Sequence, residues 1–199
     1  MQDDAPSRGR EMCFNHVENG GNGVHAMRRQ NLSPCCAHSV SCDLGDVHWV
    51  ALRTVDEPGR AIHLPTAQLV WLVEDLATAP CPTIVLLHHP ASEMRLDGNH
   101  WFEGRAHRCL VAERQQFRAI VEASGKVVAV FNGHAHWNHL DVIAGIPYVT
   151  LQSLTENLDD DAPGRPANAW AVCDLDARRL VIRVHGEEPQ HYQIERPRA

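Results

Sequence analysis

Val127-Val128-Ala129-Val130-Phe131-Asn132-Gly133-His134-Ala135-His136 is an apolar run that stops at a glycine and then presents two histidines at i and i+2. Thr83-Ile84-Val85-Leu86-Leu87-His88-His89-Pro90 ends in the same way. Strands buried on both faces read as unbroken β-branched and leucine runs, and polar side chains at their carboxyl ends gather along one rim of a parallel sheet. The pattern therefore predicts that three or four imidazoles meet in space. Neutral imidazole is a common metal ligand and a ready proton carrier, so the first expectation is a metal-dependent hydrolytic site.

The rest of the composition narrows the class. A chain of 199 residues with 44% hydrophobic residues supports one ordinary core, so a single domain is expected. A formal charge of -7 argues against a nucleic-acid backbone binder, which carries a basic face. An anionic substrate would then need a local cation such as a metal. No apolar run is long enough to span a membrane, and Met1–Arg10 lacks a signal peptide's apolar segment, which makes a cytoplasmic location the default. Seven cysteines without a secretion signal predict reduced thiols rather than a disulfide framework. Cys13, Cys35, Cys36 and Cys42 cluster with His38, but without a C-x2-C pair they read as small thiols and not as a zinc knot.

Along the chain, residues 1 to 30 show little apolar periodicity and read as loop with at most a short helix, residues 1–11 being disordered or loop. Val47–Leu52 reads as a strand. Leu69, Leu72, Val73 and Leu76 share one face of a helix over Thr66–Ala79, with Pro65 near its first turn. A long polar excursion from His89 to Arg108 follows the Thr83–Leu87 strand and is long enough to be a functional loop. A second helix is expected over Val111–Ala123, burying Phe117, Ile120 and Val121, with Gly125 left-handed just past its end. Ile146–Leu151 reads as a strand, Ala169–Asp174 and Leu180–Val184 as a hairpin, and residues 187–199 as a solvated tail.

The two histidine-terminated strands, together with Gln68-Leu69-Val70-Trp71-Leu72 on the helix before them, resemble the calcineurin-like metallophosphoesterases. In that family a tryptophan-leucine helix precedes a strand ending in histidine and proline, and a later strand ends in Gly-His-x-His. Here these are His88-His89-Pro90 and Gly133-His134-Ala135-His136, and Gly145-Ile146-Pro147-Tyr148-Val149 is similar to the strand that returns beneath the family's site. The resemblance runs from about residue 12 to residue 185 and implies one domain over 12–186. It implies a four-layer α/β/β/α metallophosphoesterase-like sandwich, incomplete at the amino terminus. Phe14-Asn15-His16-Val17-Glu18 resembles the family's Gly-Asn-His-Asp/Glu motif at Asn15 and His16, with Phe14 in the glycine's place and Val17 in the acid's.

The family's Asp-x-His and Gly-Asp-x-x-Asp motifs lie upstream of the asparagine-histidine motif, where only fourteen residues precede Asn15. Asp46-Val47-His48 spells Asp-x-His at the beginning of a strand rather than its end, and Gly98-Asn99-His100 imitates the asparagine motif out of order. Both read as coincidence.

The resemblance implies Asn15, His88 and His134 as ligands of one ion and His136 as a single contact to a second, with His16 beside the phosphate to steady it or protonate the leaving oxygen. The full family uses two divalent ions; with the first motifs absent, one weak ion or none is expected, drawn from manganese, iron or zinc. The implied activity is hydrolysis of phosphomonoester or phosphodiester small molecules. The alternative is a non-catalytic metal- or phosphate-binding relative or a truncated product, which could dimerise through an exposed sheet edge. His89 and His139 stay open between ligand and structural roles. Asp159-Asp160-Asp161 reads as a solvated loop, and Trp137 and Asn138 as pocket lining or packing.

Overall fold

The computed structural model describes residues 10–14, 39–80, 82–154 and 168–196. Strands β1 (Arg10–Phe14), β2 (Val40–Leu44) and β3 (Val47–Leu52) precede helix α1 (Thr66–Thr78). Then come β4 (Thr83–Leu87), α2 (Arg114–Ser124), β5 (Val127–Asn132), β6 (His139–Ile143) and β7 (Ile146–Thr150). Strands β8 (Trp170–Leu175), β9 (Arg179–His185) and β10 (Gln190–Glu195) follow.

Two sheets result. The larger has the order β2-β3-β4-β5-β7-β6, with β3, β4, β5 and β7 parallel and an antiparallel strand at each edge. The smaller is antiparallel in the order β1-β8-β9-β10.

The unbroken apolar runs are explained by what lies on the two faces of the larger sheet. Successive side chains of a strand point to opposite sides. Val85 and Leu87 of β4 pack with Leu69, Leu72 and Leu76 of α1 and Phe117 and Val121 of α2. Ile84 and Leu86, one residue out of step, pack with Ala171, Cys173, Leu180 and Ile182 of the smaller sheet. One strand thus serves two cores, and the layers read helices, sheet, sheet. Among the described residues no helix forms the fourth layer expected from the sequence.

Local signals set the helix boundaries. Gly125 follows α2 with φ of 64°, the left-handed conformation expected there. Lys126 reaches from the start of β5 to the carbonyl oxygens of Leu76 and Ala79, each at 2.8 Å, satisfying orphan acceptors at the end of α1 and complementing the negative pole of its dipole. Pro65 sits just outside α1 as its cap and accepts from Gln68 N at 2.9 Å.

Several expectations need correction. Arg10–Phe14, read largely as loop, is a strand that pairs with β8. Gln190–Glu195, read as tail, is an edge strand, because Tyr192 and Ile194 alternate onto the core between the sheets. Edge strands β2 and β6 were not anticipated; they are shorter on apolar residues because only part of each is covered. Helix α2 starts at Arg114 rather than Val111, since Val111 still belongs to the loop, where its N–H donates to the Pro90 carbonyl. Val73 faces solvent, 51% exposed, one position outside the stripe that Leu69, Leu72 and Leu76 form.

Candidate metal centre

Parallel neighbours β4 and β5 end side by side, so the residues that follow them emerge together. His88 and His89 leave β4, and Gly133-His134 leaves β5, with Gly133 N donating to the His88 carbonyl at 3.0 Å. His88, His89 and His134 form one group, each offering a nitrogen within 4.8 Å of the others; His89 is buried and the other two are half-buried. The rings pack edge-on or tilted, with His89 and His134 centroids 4.1 Å apart.

Their neighbours constrain the protons. His134 Nε2 lies 3.0 Å from the Arg108 carbonyl oxygen. A carbonyl only accepts, so the proton of His134 is on Nε2 and Nδ1 presents a lone pair. That Nδ1 faces His88 Nε2 at 3.0 Å. His89 Nδ1 is 2.6 Å from the Thr54 hydroxyl. Metal-bound histidines characteristically engage their other ring nitrogen in this way, with a carbonyl or hydroxyl that fixes tautomer and ring angle.

The donor set fits a divalent transition ion. Two nitrogens bound to one ion at about 2.0–2.1 Å lie roughly 3.0–3.4 Å apart, which spans the observed His88–His134 separation. Nitrogen donors favour zinc, iron, cobalt or nickel over magnesium or calcium. Among the described residues no carboxylate joins the group. Cys109 is not part of the group, and burial pushes its thiol up to about 12.

His134 and His136 have φ of 66° and 54°, both left-handed. The segment is therefore not extended, and the rule that i and i+2 share a side does not apply to it. His136 is buried beside Trp101, with ring centroids 6.1 Å apart, and is not part of the three-histidine group. Asn15 and His16, expected as ligand and acid, lie outside the described residues, as do Asp159–Asp161. His89 was left open by the sequence and belongs to the group. His139 instead pairs with Asp141 at 3.1 Å on β6. Asn138 accepts from Gln152 N at 3.0 Å and donates to the Glu188 carbonyl at 2.9 Å, a structural bracket.

The excursion after His89 is more ordered inside than its polar sequence suggests. Met94, Leu96, Cys109 and Leu110 bury themselves with Ala135, and Phe102 packs against them while lying over the His134 ring at 4.8 Å. Asn99 is almost fully buried, and its amide donates to the Ala135 carbonyl at 2.9 Å.

His48 occupies the opposite rim, at the amino ends of β3 and β4. Its Nδ1 is 2.6 Å from Asp43 and its Nε2 2.8 Å from Asp75, which also accepts from Ser41 at 2.6 Å. Both nitrogens face carboxylates, so the ring is an imidazolium, and the hydrogen bond to Asp75 foremost holds its pKa above the ordinary value. His48 of Asp46-Val47-His48 is thus held in a structural ion pair with Asp43 and Asp75, at the rim opposite the histidine group. Cys42, one of the early cysteines, is a buried free thiol, as are Cys109 and Cys173.

No protein-family profile matches the sequence, and no curated protein matches it. Solved structures do match. A dimetal phosphatase from Danio rerio superposes with a TM-score of 0.60 at 13% identity, over 79% of this chain and 60% of that one. GAP50, the anchor in the inner membrane complex of Plasmodium, superposes with a TM-score of 0.51 at 7% identity, over 81% of this chain and 54% of that one. The chain has the calcineurin-like metallophosphoesterase fold and spans somewhat over half the length of these two structures. Among the described residues no helix is long and apolar enough to cross a membrane.

Proposed function

We propose that the chain is a metal-dependent phosphoesterase that hydrolyses phosphomonoester or phosphodiester bonds of small molecules. The observation that carries this reading is the group of His88, His89 and His134 at the ends of adjacent parallel strands, in the fold of a phosphatase. A divalent ion held there supplies Lewis acidity toward a phosphoryl oxygen.

The chain's own residues do the rest. His88 Nε2 and His134 Nδ1 are the donors that the Arg108 carbonyl and the neighbouring ring orient. Thr54 fixes the His89 ring. Phe102 lies tilted against the His134 ring and limits its movement. Asn15 remains the proposed additional ligand and His16 the proposed proton donor to the leaving oxygen, each carried by the family resemblance.

The test is hydrolysis of a chromogenic aryl phosphate monoester and the matching diester by the full chain with added zinc, manganese or iron. Metal-stimulated turnover that falls at least a hundredfold in His88→Ala supports the reading, on the scale expected when a metal ligand is removed. Metal binding without turnover of either ester would identify a binding relative instead.

A further inference from the structure

We propose that Asn99 is a positioning residue of the histidine centre, holding the His134-Ala135-His136 loop in the shape that presents His134. The proposal takes its functional meaning from the metal-centre reading above.

Three contacts from one turn converge on this loop. Asn99 is 1% exposed, and its Nδ2 donates to the carbonyl of Ala135, the residue between the two histidines. Its Oδ1 accepts from the N–H groups of Trp101 at 3.0 Å and Phe102 at 2.9 Å, which closes the turn. Those two aromatic residues reach the two histidines in turn: Phe102 lies tilted against His134 and Trp101 meets His136 edge-on.

The loop needs such a restraint. Left-handed backbone at a residue bearing a Cβ costs about 1–2 kcal/mol, and here it occurs at His134 and again at His136. Such a conformation persists only where surrounding contacts over-determine it. The Ala135 carbonyl lies between the two unfavourable residues, so a donor fixed on it restrains both. If it is released, the chain can relax toward ordinary dihedral angles, swinging His134 Nε2 off the Arg108 carbonyl and Nδ1 away from His88.

The two halves of the Asn99 amide separate this role from a merely structural one. Asn99→Asp keeps an oxygen to cap the turn but sets a carboxylate against the Ala135 carbonyl. Asn99→Ser keeps a shorter cap and cannot span to that carbonyl. The experiment compares the full-length wild type, both variants and His134→Ala in three measurements: thermal unfolding without metal, zinc binding by calorimetry, and imidazole 15N NMR without metal. The expected result is that at least one Asn99 variant remains folded yet binds zinc about ten- to a hundredfold more weakly. Its His134 also loses the fixed Nε2–H tautomer that the Arg108 carbonyl implies for the wild type. Zinc affinity and tautomer both unchanged in a folded Asn99 variant overturn the proposal. A wild type that binds no zinc, with the tautomer still dependent on Asn99, sustains the positioning role and overturns the metal-centre reading.

Discussion

His88 Nε2 and His134 Nδ1 face each other at 3.0 Å beyond the ends of adjacent parallel strands. With His134 Nε2 donating to the Arg108 carbonyl, the nitrogen left to meet an ion is Nδ1. The two amide analogues of histidine then behave differently. His134→Asn places an oxygen near the former Nδ1 position and should retain zinc binding weakened about ten- to a hundredfold. His134→Gln reproduces the donor to Arg108, so its metal-free melting temperature should stay near that of the wild type while zinc binding is lost. Calorimetry on both variants checks the ordering, and equal loss in the two would reject Nδ1 as the donor.

The Thr54 hydroxyl lies 2.6 Å from His89 Nδ1 and supports that ring. Thr54→Val keeps the shape and removes the hydrogen bond. Zinc affinity should drop about tenfold, with little change in metal-free stability beyond about 1 kcal/mol. Competition with a chromophoric chelator measures the first and urea unfolding the second.

His48 makes stability depend on pH at the other rim. Its folded pKa is raised, so its contribution is complete below the unfolded value of about 6.5 and is lost as pH rises through the higher folded value. The urea midpoint attributable to this group should therefore fall as pH rises above about 6.5. His48→Gln should flatten that fall and cost about 2 kcal/mol at the acidic end, less than a fully buried pair because Asp43 is partly exposed. A variant whose midpoint still falls as steeply as the wild type's would contradict the assignment.

Strands β6 and β7 are joined through Ala144 and Gly145, at φ of 50° and 79°. Two consecutive left-handed residues are what a tight hairpin turn asks of Asn-Gly, and alanine is strained there. Ala144→Asn should stabilise the protein by about 0.5–1 kcal/mol, read as a higher urea midpoint with an unchanged slope.

The central sheet was legible because β4 and β5 are buried between two cores, and that burial demands uninterrupted apolar side chains from each. The strands missed or undervalued in the sequence, β1, β2, β6 and β10, all lie at sheet edges, and in β2, β6 and β10 partial covering leaves mixed composition and no clean period. At the site, His88 and His134 were marked by their position at strand ends. His89 was ambiguous because adjacent residues in a strand face opposite sides; β4 ends at Leu87, and past that point both histidines turn to one centre. The i and i+2 reading of His134 and His136 assumed extended backbone, which their left-handed dihedrals exclude. Asn99 looked like a misplaced motif, since a tether across 36 positions leaves no local periodicity to read.

The most direct test of the three-histidine centre is the metal content of the purified full chain after incubation with zinc and removal of loosely held ions, measured beside His134→Ala. The account predicts at least one zinc per wild-type chain and its loss in the variant. Zinc absent from the wild type, or retained equally by His134→Ala, would contradict it.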